Sequence, residues 1–146
     1  MEWRLELLLV PVSDIDRART FYRDQTGFHE DFDTEFSDDV RMVQLTPPGS
    51  SCSIGLLTGM APGPDGIAME PGSLQGMHII VPDIVEARST LIANGVAVSD
   101  VLEVAHERNG SVYRAVDGEP DGWNAYAFFH DPDGNGWVLQ QSPRDP

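Results

Sequence analysis

The hydrophobic pattern in the first half of the chain predicts a strand, a helix and three further strands. Residues 4–12 are almost continuously apolar, which favours a strand that is buried on both faces. A Ser-Asp pair at residues 13–14 supplies a helix N-cap, and Gly27 is a suitable helix end. The residues at helical spacing that should face inward are Ile15, Ala18, Phe21 and Tyr22. The strands predicted next cover residues 28–36, 40–46 and 51–57.

The second half repeats this order after residues 58–73, whose many Gly and Pro residues predict a linker. Residues 75–81 predict the first strand, and a helix begins at Asp83 and ends at residues 94–95. Its predicted inward residues are Ile84, Ala87, Leu91 and Ile92. The further strands predicted here cover residues 96–104, 124–130 and 137–141. The polar segment 105–123 is long for a compact domain, so it is either a lid over a binding site or a mobile surface loop.

Internal repetition indicates two modules. Residues 8–18 resemble residues 77–87 at an offset of 69 (81 − 12 for the matching Val residues). The Pro-Pro-Gly turn at 47–49 resembles the Asp-Pro-Asp-Gly-Asn turn at 131–135 at an offset of 85 (134 − 49). Because each half repeats the same order of elements, we expect a single domain over residues 1–146. It would consist of module 1 (1–57), a linker (58–73) and module 2 (74–146).

Composition narrows the range of partners. A formal net charge of −15 without any Lys disfavours nucleic acid. The same acidity either attracts a cationic ligand or simply keeps the surface soluble. One cysteine, Cys52, excludes an internal disulfide and a multi-cysteine metal site. Since no apolar run reaches membrane-spanning length and residues 1–4 do not resemble a signal peptide, we expect a cytoplasmic protein without a membrane partner.

Two motifs in this order resemble the vicinal oxygen chelate superfamily, which includes glyoxalase I, extradiol dioxygenases, and the fosfomycin and bleomycin resistance proteins. They are Val-Ser-Asp-Ile-Asp-Arg-Ala at residues 12–18 and Asp-Pro-Asp-Gly-Asn-Gly-Trp at residues 131–137. The resemblance covers nearly the whole chain. It implies an α+β fold in which two βαβββ modules form a half-open barrel around one cavity, and it implies a homodimer. Because this fold carries many activities, the function has to be argued from the site residues.

Metal-using members of the superfamily place their ligands on inward positions of the first and last strands of each module. The resemblance transfers these positions to Leu7, Ser53, Gly76 and Val138. None of them is a good ligand for a divalent first-row metal, so we expect no metal and no other cofactor. A register shift of two residues would instead turn His78 and Gln140 inward, which still does not complete a metal site. Metal-dependent lyase or dioxygenase chemistry is therefore disfavoured.

The acidic strand over residues 28–36 offers a different candidate for a metal cluster. His29, Asp31 and Asp33 share one face of a regularly alternating strand. The sequence supplies no convergent fourth ligand, so we interpret these residues as a solvated acidic edge. On the next strand, Arg41 and Gln44 have opposite parity and cannot both face inward.

Two functions remain open. The residues predicted to bind a ligand are Leu7, Leu9, Ser53, Gly76, His78, Val138 and Gln140, a mostly apolar set typical of a small-molecule site. The first function is metal-independent binding of a small amphiphilic or cationic organic molecule. The second is a metal-independent isomerase, epimerase or cyclase that uses His78 as the catalytic general acid or base. His78 also has an ordinary interpretation, as a histidine at the edge of the core that hydrogen-bonds to a neighbour.

Overall fold

The computed structural model describes residues 1–59, 63–65, 68–120 and 122–143, which separate into two units. The first unit contains residues up to 75 together with Asp131–Asn135, and the second contains the remaining described residues. Parts of the predicted linker (60–62 and 66–67), of the predicted loop (121) and of the end of module 2 (144–146) lie outside the described residues. Among the described residues, no helix is both long and apolar enough to cross a membrane.

The first unit contains a mixed four-stranded sheet within the residues that the structure describes. Helix α1 (Ile15–Thr20) begins as predicted, because the Asp14 side chain accepts a hydrogen bond from the backbone N–H of Arg17. It continues as a π-helical turn over Phe21–Gln25, which the sequence pattern did not predict. The strands are β1 (Leu7–Pro11), β2 (His29–Ser37), β3 (Val40–Thr46) and β4 (Ser53–Thr58). Their order is β1-β4-β3-β2, with β1 parallel to β4 and the other pairs antiparallel.

In the described part of the second unit the sheet has five strands, ordered β5-β9-β8-β6-β7. The Asp83 side chain caps helix α2 (Ile84–Ala93) by accepting a hydrogen bond from the Glu86 backbone N–H, as expected for this residue type. The strands are β5 (Met77–Val81), β6 (Leu102–Glu107), β7 (Gly110–Ala115), β8 (Tyr126–His130) and β9 (Gly136–Gln141). The predicted two-module α+β fold is thus confirmed, with one more strand in module 2 than predicted.

The additional strand corrects the prediction for residues 96–123. Strand β6 begins at Leu102, whereas the prediction placed a strand over residues 96–104. The predicted loop 105–123 contains the rest of β6 and all of β7, which pair as an antiparallel hairpin. Residues 108–109 make the turn, and Gly110, with φ 138, begins β7 as the partner of Glu107. An Asn-Gly pair is a strong hairpin signal, but many other Gly and Asp residues surround this one, so the sequence pattern predicts an irregular loop.

Among the described residues, α1 packs against β4 of the first sheet and α2 packs against β8 and β9 of the second, each on the face that carries the buried core, and the opposite face carries no helix. We call the latter the helix-free face. The buried apolar residues of the first unit include Val10, Phe21, Tyr22, Val43, Leu45, Ile54 and Leu56, and those of the second include Ile84, Leu91, Ala127, Phe129 and Leu139.

Two burial predictions were wrong. Residues 4–12 are not buried on both faces, since Leu5 is 64% exposed and Leu9 is 41% exposed. Leu9 lies on the helix-free face of β1, and Leu5 precedes the strand. Ile92 was predicted to face inward from α2 but is 44% exposed. The helix buries a narrow stripe through Ile84 and Leu91, and Ile92 lies one residue, or about 100°, beyond it.

The turn Asp131–Asn135, which joins β8 to β9, is held by buried polar groups of the first unit. The Asp131 carboxylate accepts hydrogen bonds from the Tyr22 hydroxyl at 2.7 Å and from the Asn135 side-chain amide at 2.8 Å. That amide also donates to the Pro11 carbonyl at 2.8 Å, and its oxygen accepts from the Leu74 N–H at 3.1 Å. Asn135 is fully buried, so each of these bonds satisfies a group that water cannot reach.

Candidate functional site

The helix-free face of the first sheet is organised as rows that run across the four strands. The middle row consists of Phe32, Gln44, Gly55 and Leu9, which are direct strand partners. A Cβ atom on Gly55 would lie 2.9 Å from the Met42 side chain, 3.2 Å from Leu9 and 3.5 Å from Leu7. These apolar side chains therefore converge over Gly55. Leu9 and Phe32 stay 41% and 39% exposed, so the row offers apolar surface to a ligand.

A polar row adjoins this apolar one on the same face. The Asp31 carboxylate oxygen Oδ2 accepts hydrogen bonds from the Thr46 hydroxyl at 2.5 Å and from the Gln44 amide at 3.0 Å. The Thr46 hydroxyl lies 2.7 Å from the Ser53 hydroxyl, and the Gln44 amide lies 3.5 Å from it. Ser53, which was predicted as a site residue, is thus one end of a network that terminates at Asp31.

Asp31 reaches this face because β2 contains a bulge. Glu30 pairs with Leu45 and Phe32 pairs with Gln44, so Asp31 has no partner in the register. The extra residue reverses the alternation from that point. The prediction that His29, Asp31 and Asp33 share a face was wrong, since Asp31 hydrogen-bonds on the helix-free face and Asp33 pairs with Val43 of the core face.

Two carboxylates on the core face of β2, those of Glu30 and Asp33, form ion pairs. Arg41 forms a bidentate pair with Asp33 at 2.7 and 2.8 Å and a further pair with Asp16 at 2.8 Å. Arg19 pairs with Glu30 in the same way. A hydrogen bond from its arginine lowers the pKa of each of the carboxyls Glu30 and Asp33. Arg41 and Gln44 lie on opposite faces as predicted, and Gln44 is the one that reaches the polar row.

The electrostatics of Asp31 differ from those of these two carboxyls. Burial acts to raise the pKa of Asp31, but the hydrogen bonds from Thr46 and Gln44 and the nearby His29 outweigh it and keep the pKa below its ordinary value. The ion pair that Asp31 makes is with His29 Nε2 at 3.9 Å, and the His29 side chain is 79% exposed. Within the described residues, no arginine lies within 4.0 Å of the Asp31 carboxylate.

The helix-free face of the second sheet carries an aromatic cluster beside predicted site residues. The Tyr113 ring contacts Phe128 edge-on at 5.1 Å and Tyr126 at 5.9 Å. Phe128 pairs with Val138, and Tyr126 pairs with Gln140, so these predicted residues share the face with the cluster. The Gln140 amide donates to the Trp123 carbonyl at 3.1 Å. Tyr113 lies in β7, whereas the sequence pattern places it in a loop that is either a lid or a mobile surface.

His78 lies exposed on the same face of the second sheet, as the strand partner of Val138. Its Nδ1 is 2.7 Å from the Gly76 carbonyl oxygen. A carbonyl can only accept, so Nδ1 carries the proton and Nε2 of the neutral ring is a lone-pair acceptor. Gly76 itself precedes β5 with φ 78 and contributes this backbone carbonyl.

Strand pairing gives a direct test of the transferred metal positions. Leu7 pairs with Ser53, and His78 pairs with Val138, so the counterpart of Leu7 in the second module is His78 and not Gly76. The offset between the first strands is 71 (78 − 7), not 69, while the offset between the last strands is 85 (138 − 53). The difference arises because the segment from the first strand to the helix N-cap is two residues shorter in module 2 (83 − 78 against 14 − 7).

The corrected positions still do not form a metal site. They are occupied by Leu7, Ser53, His78 and Val138, of which His78 alone has a side chain that suits a divalent first-row metal. Throughout the part of the chain that the structure describes, no group of three or more His, Cys, Asp or Glu side chains could hold a metal ion. The residues present therefore do not fit the metal that other members of the superfamily use.

Comparisons with known proteins agree on the fold. The chain matches the Glyoxalase/Bleomycin resistance protein/Dioxygenase superfamily over residues 4–139. TnmS3, an antibiotic binding protein from Streptomyces sp. CB03234, is 29% identical to this chain. The match covers 97% of each chain and has a TM-score of 0.69. A glyoxalase/bleomycin resistance protein from the same organism is 30% identical over 94% of this chain and 100% of that chain, with a TM-score of 0.67. A superfamily member from Sphaerobacter thermophilus DSM 20745 is 27% identical over 97% and 98%, with a TM-score of 0.67. No curated protein matches the chain.

Proposed function

Since the chain belongs to the Glyoxalase/Bleomycin resistance protein/Dioxygenase superfamily, we propose that it binds a small amphiphilic or cationic organic molecule without a metal ion. The observation that carries this proposal is the helix-free face of the first sheet. There, the partly exposed Leu9 and Phe32 adjoin a network of polar groups around Asp31. Apolar surface with a few fixed polar groups is the usual composition of a small-molecule site.

The ligand-binding residues of this proposal are those predicted from the sequence. Leu7, Leu9 and Ser53 belong to the first sheet, and His78, Val138 and Gln140 belong to the second. Gly76 takes part through its backbone. TnmS3 is described as an antibiotic binding protein, and its similarity supports the binding of a small molecule.

Calorimetry with 2-naphthalenemethanol, a neutral aromatic probe, tests the proposal. We expect saturable binding that Leu9→Glu weakens at least about fivefold, because a charge replaces apolar contact surface. Ile92→Glu is the matched control, since Ile92 is 44% exposed on α2 and Leu9 is 41% exposed on the helix-free face. The absence of binding by the wild type at millimolar probe, or equal weakening by both substitutions, would contradict the proposal.

A second candidate function is favoured by the hydrogen bond from His78 Nδ1 to the Gly76 carbonyl at 2.7 Å. This bond fixes the tautomer and leaves Nε2 as a base on an exposed face. Isomerases and epimerases of this kind remove a carbon-bound proton. The protein would therefore catalyse the exchange of solvent deuterium into 2-hydroxy ketones, which ¹H NMR would measure. Exchange that is lost in His78→Gln and kept in His29→Gln would establish this function, and exchange equal to that of buffer would refute it.

We also propose that the protein is a homodimer in the cytoplasm. The homodimer rests on the family resemblance, and the location rests on the single cysteine, which is typical of a reducing compartment. Sedimentation equilibrium over a range of protein concentrations would measure the mass, which is 16.0 kDa for one chain. A mass that stays at this value throughout would contradict the homodimer.

A further inference from the structure

We propose that the Asp31 carboxylate, supported by Gln44, Thr46 and Ser53, is the subsite for an organic ammonium group. The apolar body attached to that group would lie along the row from Phe32 to Leu9. This inference rests on the proposed function, because it states which part of the ligand the polar row recognises. The ligand class is therefore an amine that is protonated at neutral pH and carries an aromatic or aliphatic body.

The hydrogen bonds of the polar row all point towards the carboxylate. Thr46 has a single hydroxyl proton, which it donates to Asp31 Oδ2, so the 2.7 Å contact with Ser53 must be donated by the Ser53 hydroxyl. The Gln44 amide has two protons, directed at Asp31 Oδ2 and at the Ser53 hydroxyl oxygen. An oriented chain of donors strengthens each bond and stabilises negative charge at its end. Asp31 is therefore built to be an anion.

Among the residues that the structure describes, this anion has no arginine partner. Glu30 and Asp33 on the core face pair with Arg19 and Arg41, whereas Asp31 is 3.9 Å from His29, which is neutral unless protonated. Both bonds from Thr46 and Gln44 go to Oδ2, while Oδ1 is the atom that faces His29. The Asp31 side chain is 26% exposed, so a ligand can reach it. A partly desolvated carboxylate attracts a cation more strongly than one in bulk water.

The neighbouring row determines what else the ligand needs. Phe32, Gln44, Gly55 and Leu9 lie on adjacent strands, and four strands at about 4.8 Å spacing span about 14 Å. The apolar ends of Met42, Leu9 and Leu7 converge over Gly55 and fill the space beside it. A flat apolar body would therefore lie on these side chains and on Phe32. Because Gln44 belongs to both rows, an ammonium bound at Asp31 has its apolar body directly over the row.

The test compares probes that share the naphthalene ring and differ in charge. Calorimetry at neutral pH would use 2-naphthylmethylamine as the ammonium, 2-naphthalenemethanol as the neutral analogue and 2-naphthoic acid as the anion. We expect the ammonium to bind most tightly and the acid most weakly. Asp31→Asn should weaken the ammonium about tenfold and the alcohol by less than about twofold, since only the ammonium loses a charged contact.

Asp38→Asn is the matched control, because it makes the same change in net charge at an exposed turn residue. It should leave the affinity of the ammonium within about twofold of wild type. Equal weakening by both substitutions would show a long-range charge effect and overturn the subsite. Circular dichroism would confirm that each variant is folded.

Chemical-shift mapping on the wild-type protein provides a second measurement that does not depend on any variant. Addition of the ammonium should shift the side-chain amide of Gln44 and the backbone amides of Asp31 and Thr46. Shifts confined to the aromatic cluster around Tyr113 would overturn the subsite and leave the proposed function intact. Equal affinity for the ammonium, the alcohol and the acid would also overturn the subsite and leave the proposed function intact. If no probe binds at millimolar concentration, the proposed function itself fails, and the subsite fails with it.

Discussion

Removal of the Tyr22 hydroxyl tests how the Asp131–Asn135 turn is held. Tyr22 is fully buried and its hydroxyl donates to the Asp131 carboxylate at 2.7 Å. Tyr22→Phe deletes this donor and keeps the ring, which packs edge-on against Phe21 at 5.0 Å and stacks on Phe28 at 5.7 Å. The substitution therefore isolates one hydrogen bond from the packing of the core.

The expected loss follows from what remains at the carboxylate. Hydrogen bonds to charged groups contribute about 1.5–3 kcal/mol to stability. Asp131 keeps bonds from the Asn135 side chain at 2.8 Å and from the backbone N–H groups of Asp133 and Asn135 at 2.9 and 3.0 Å. Because the carboxylate stays well solvated by these donors, we expect a loss near the lower end, about 1.5–2 kcal/mol. Such a loss changes the ratio of folded to unfolded protein by roughly 10- to 30-fold.

Urea unfolding followed by circular dichroism measures this loss. The midpoint should fall while the slope of the free energy with urea stays constant, since the folded structure exposes no new surface. Tyr113→Phe is the control, because it removes the same atom from a side chain that is 54% exposed, and its effect should stay within about 0.5 kcal/mol. If Tyr22→Phe is as stable as this control, the hydroxyl does not stabilise the turn and the reasoning is refuted.

Three further substitutions or conditions test other parts of the structure. The pKa values of Glu30 and Asp33 lie below their ordinary values in the folded state. Their contribution to the free energy of unfolding is therefore complete at neutral pH and is lost as the pH falls below about 4. The double variant Glu30→Gln/Asp33→Asn should therefore show a shallower acid dependence of the urea midpoint. Gly72 has φ 83, and a Cβ added there would lie 2.2 Å from a backbone oxygen, whereas Gly49 has φ 79 and open space around it. Gly72→Ala should therefore lower the urea midpoint more than Gly49→Ala does. The Asn124 side chain bonds both the N–H and the carbonyl of Val104 at 2.8 and 3.0 Å, so Asn124→Ala should speed hydrogen exchange across β6 and β7 and leave β9 unchanged.

The elements that local chemistry determines were predictable from the sequence. Asp14 and Asp83 cap α1 and α2 as predicted, because an Asp side chain directly before a helix can accept a hydrogen bond from a backbone N–H of its first turn. The hairpin of β6 and β7 was not predicted, although an Asn-Gly pair at residues 109–110 stands where its turn meets β7. Many Gly and Asp residues surround this pair, and the strand partners Val104 and Tyr113 are the apolar signal on either side of it.

The candidate site was predictable in part, because pairing register is a long-range property. Ser53 and His78 lie on the faces opposite the helices, as their parity indicates, and their part in ligand binding stays a prediction. The assignment of Gly76 depended on counting from the helix cap, and a connection two residues shorter moved the equivalent position to His78. Only the pairing of the first strand with the last reveals such a shift, and that pairing joins residues about 60 positions apart (138 − 78).

The bulge in β2 shows why the most informative residue of the site was not found. Asp31 and Asp33 are the same residue type two positions apart, and regular alternation assigns them one environment. One extra residue between Glu30 and Phe32 gives them opposite ones. Asp33 faces Arg41 and serves the stability of the fold, whereas Asp31 meets Gln44 and Thr46 on the helix-free face. Asp33→Asn should therefore lower stability and spare the binding of a cationic probe, whereas Asp31→Asn should weaken that binding.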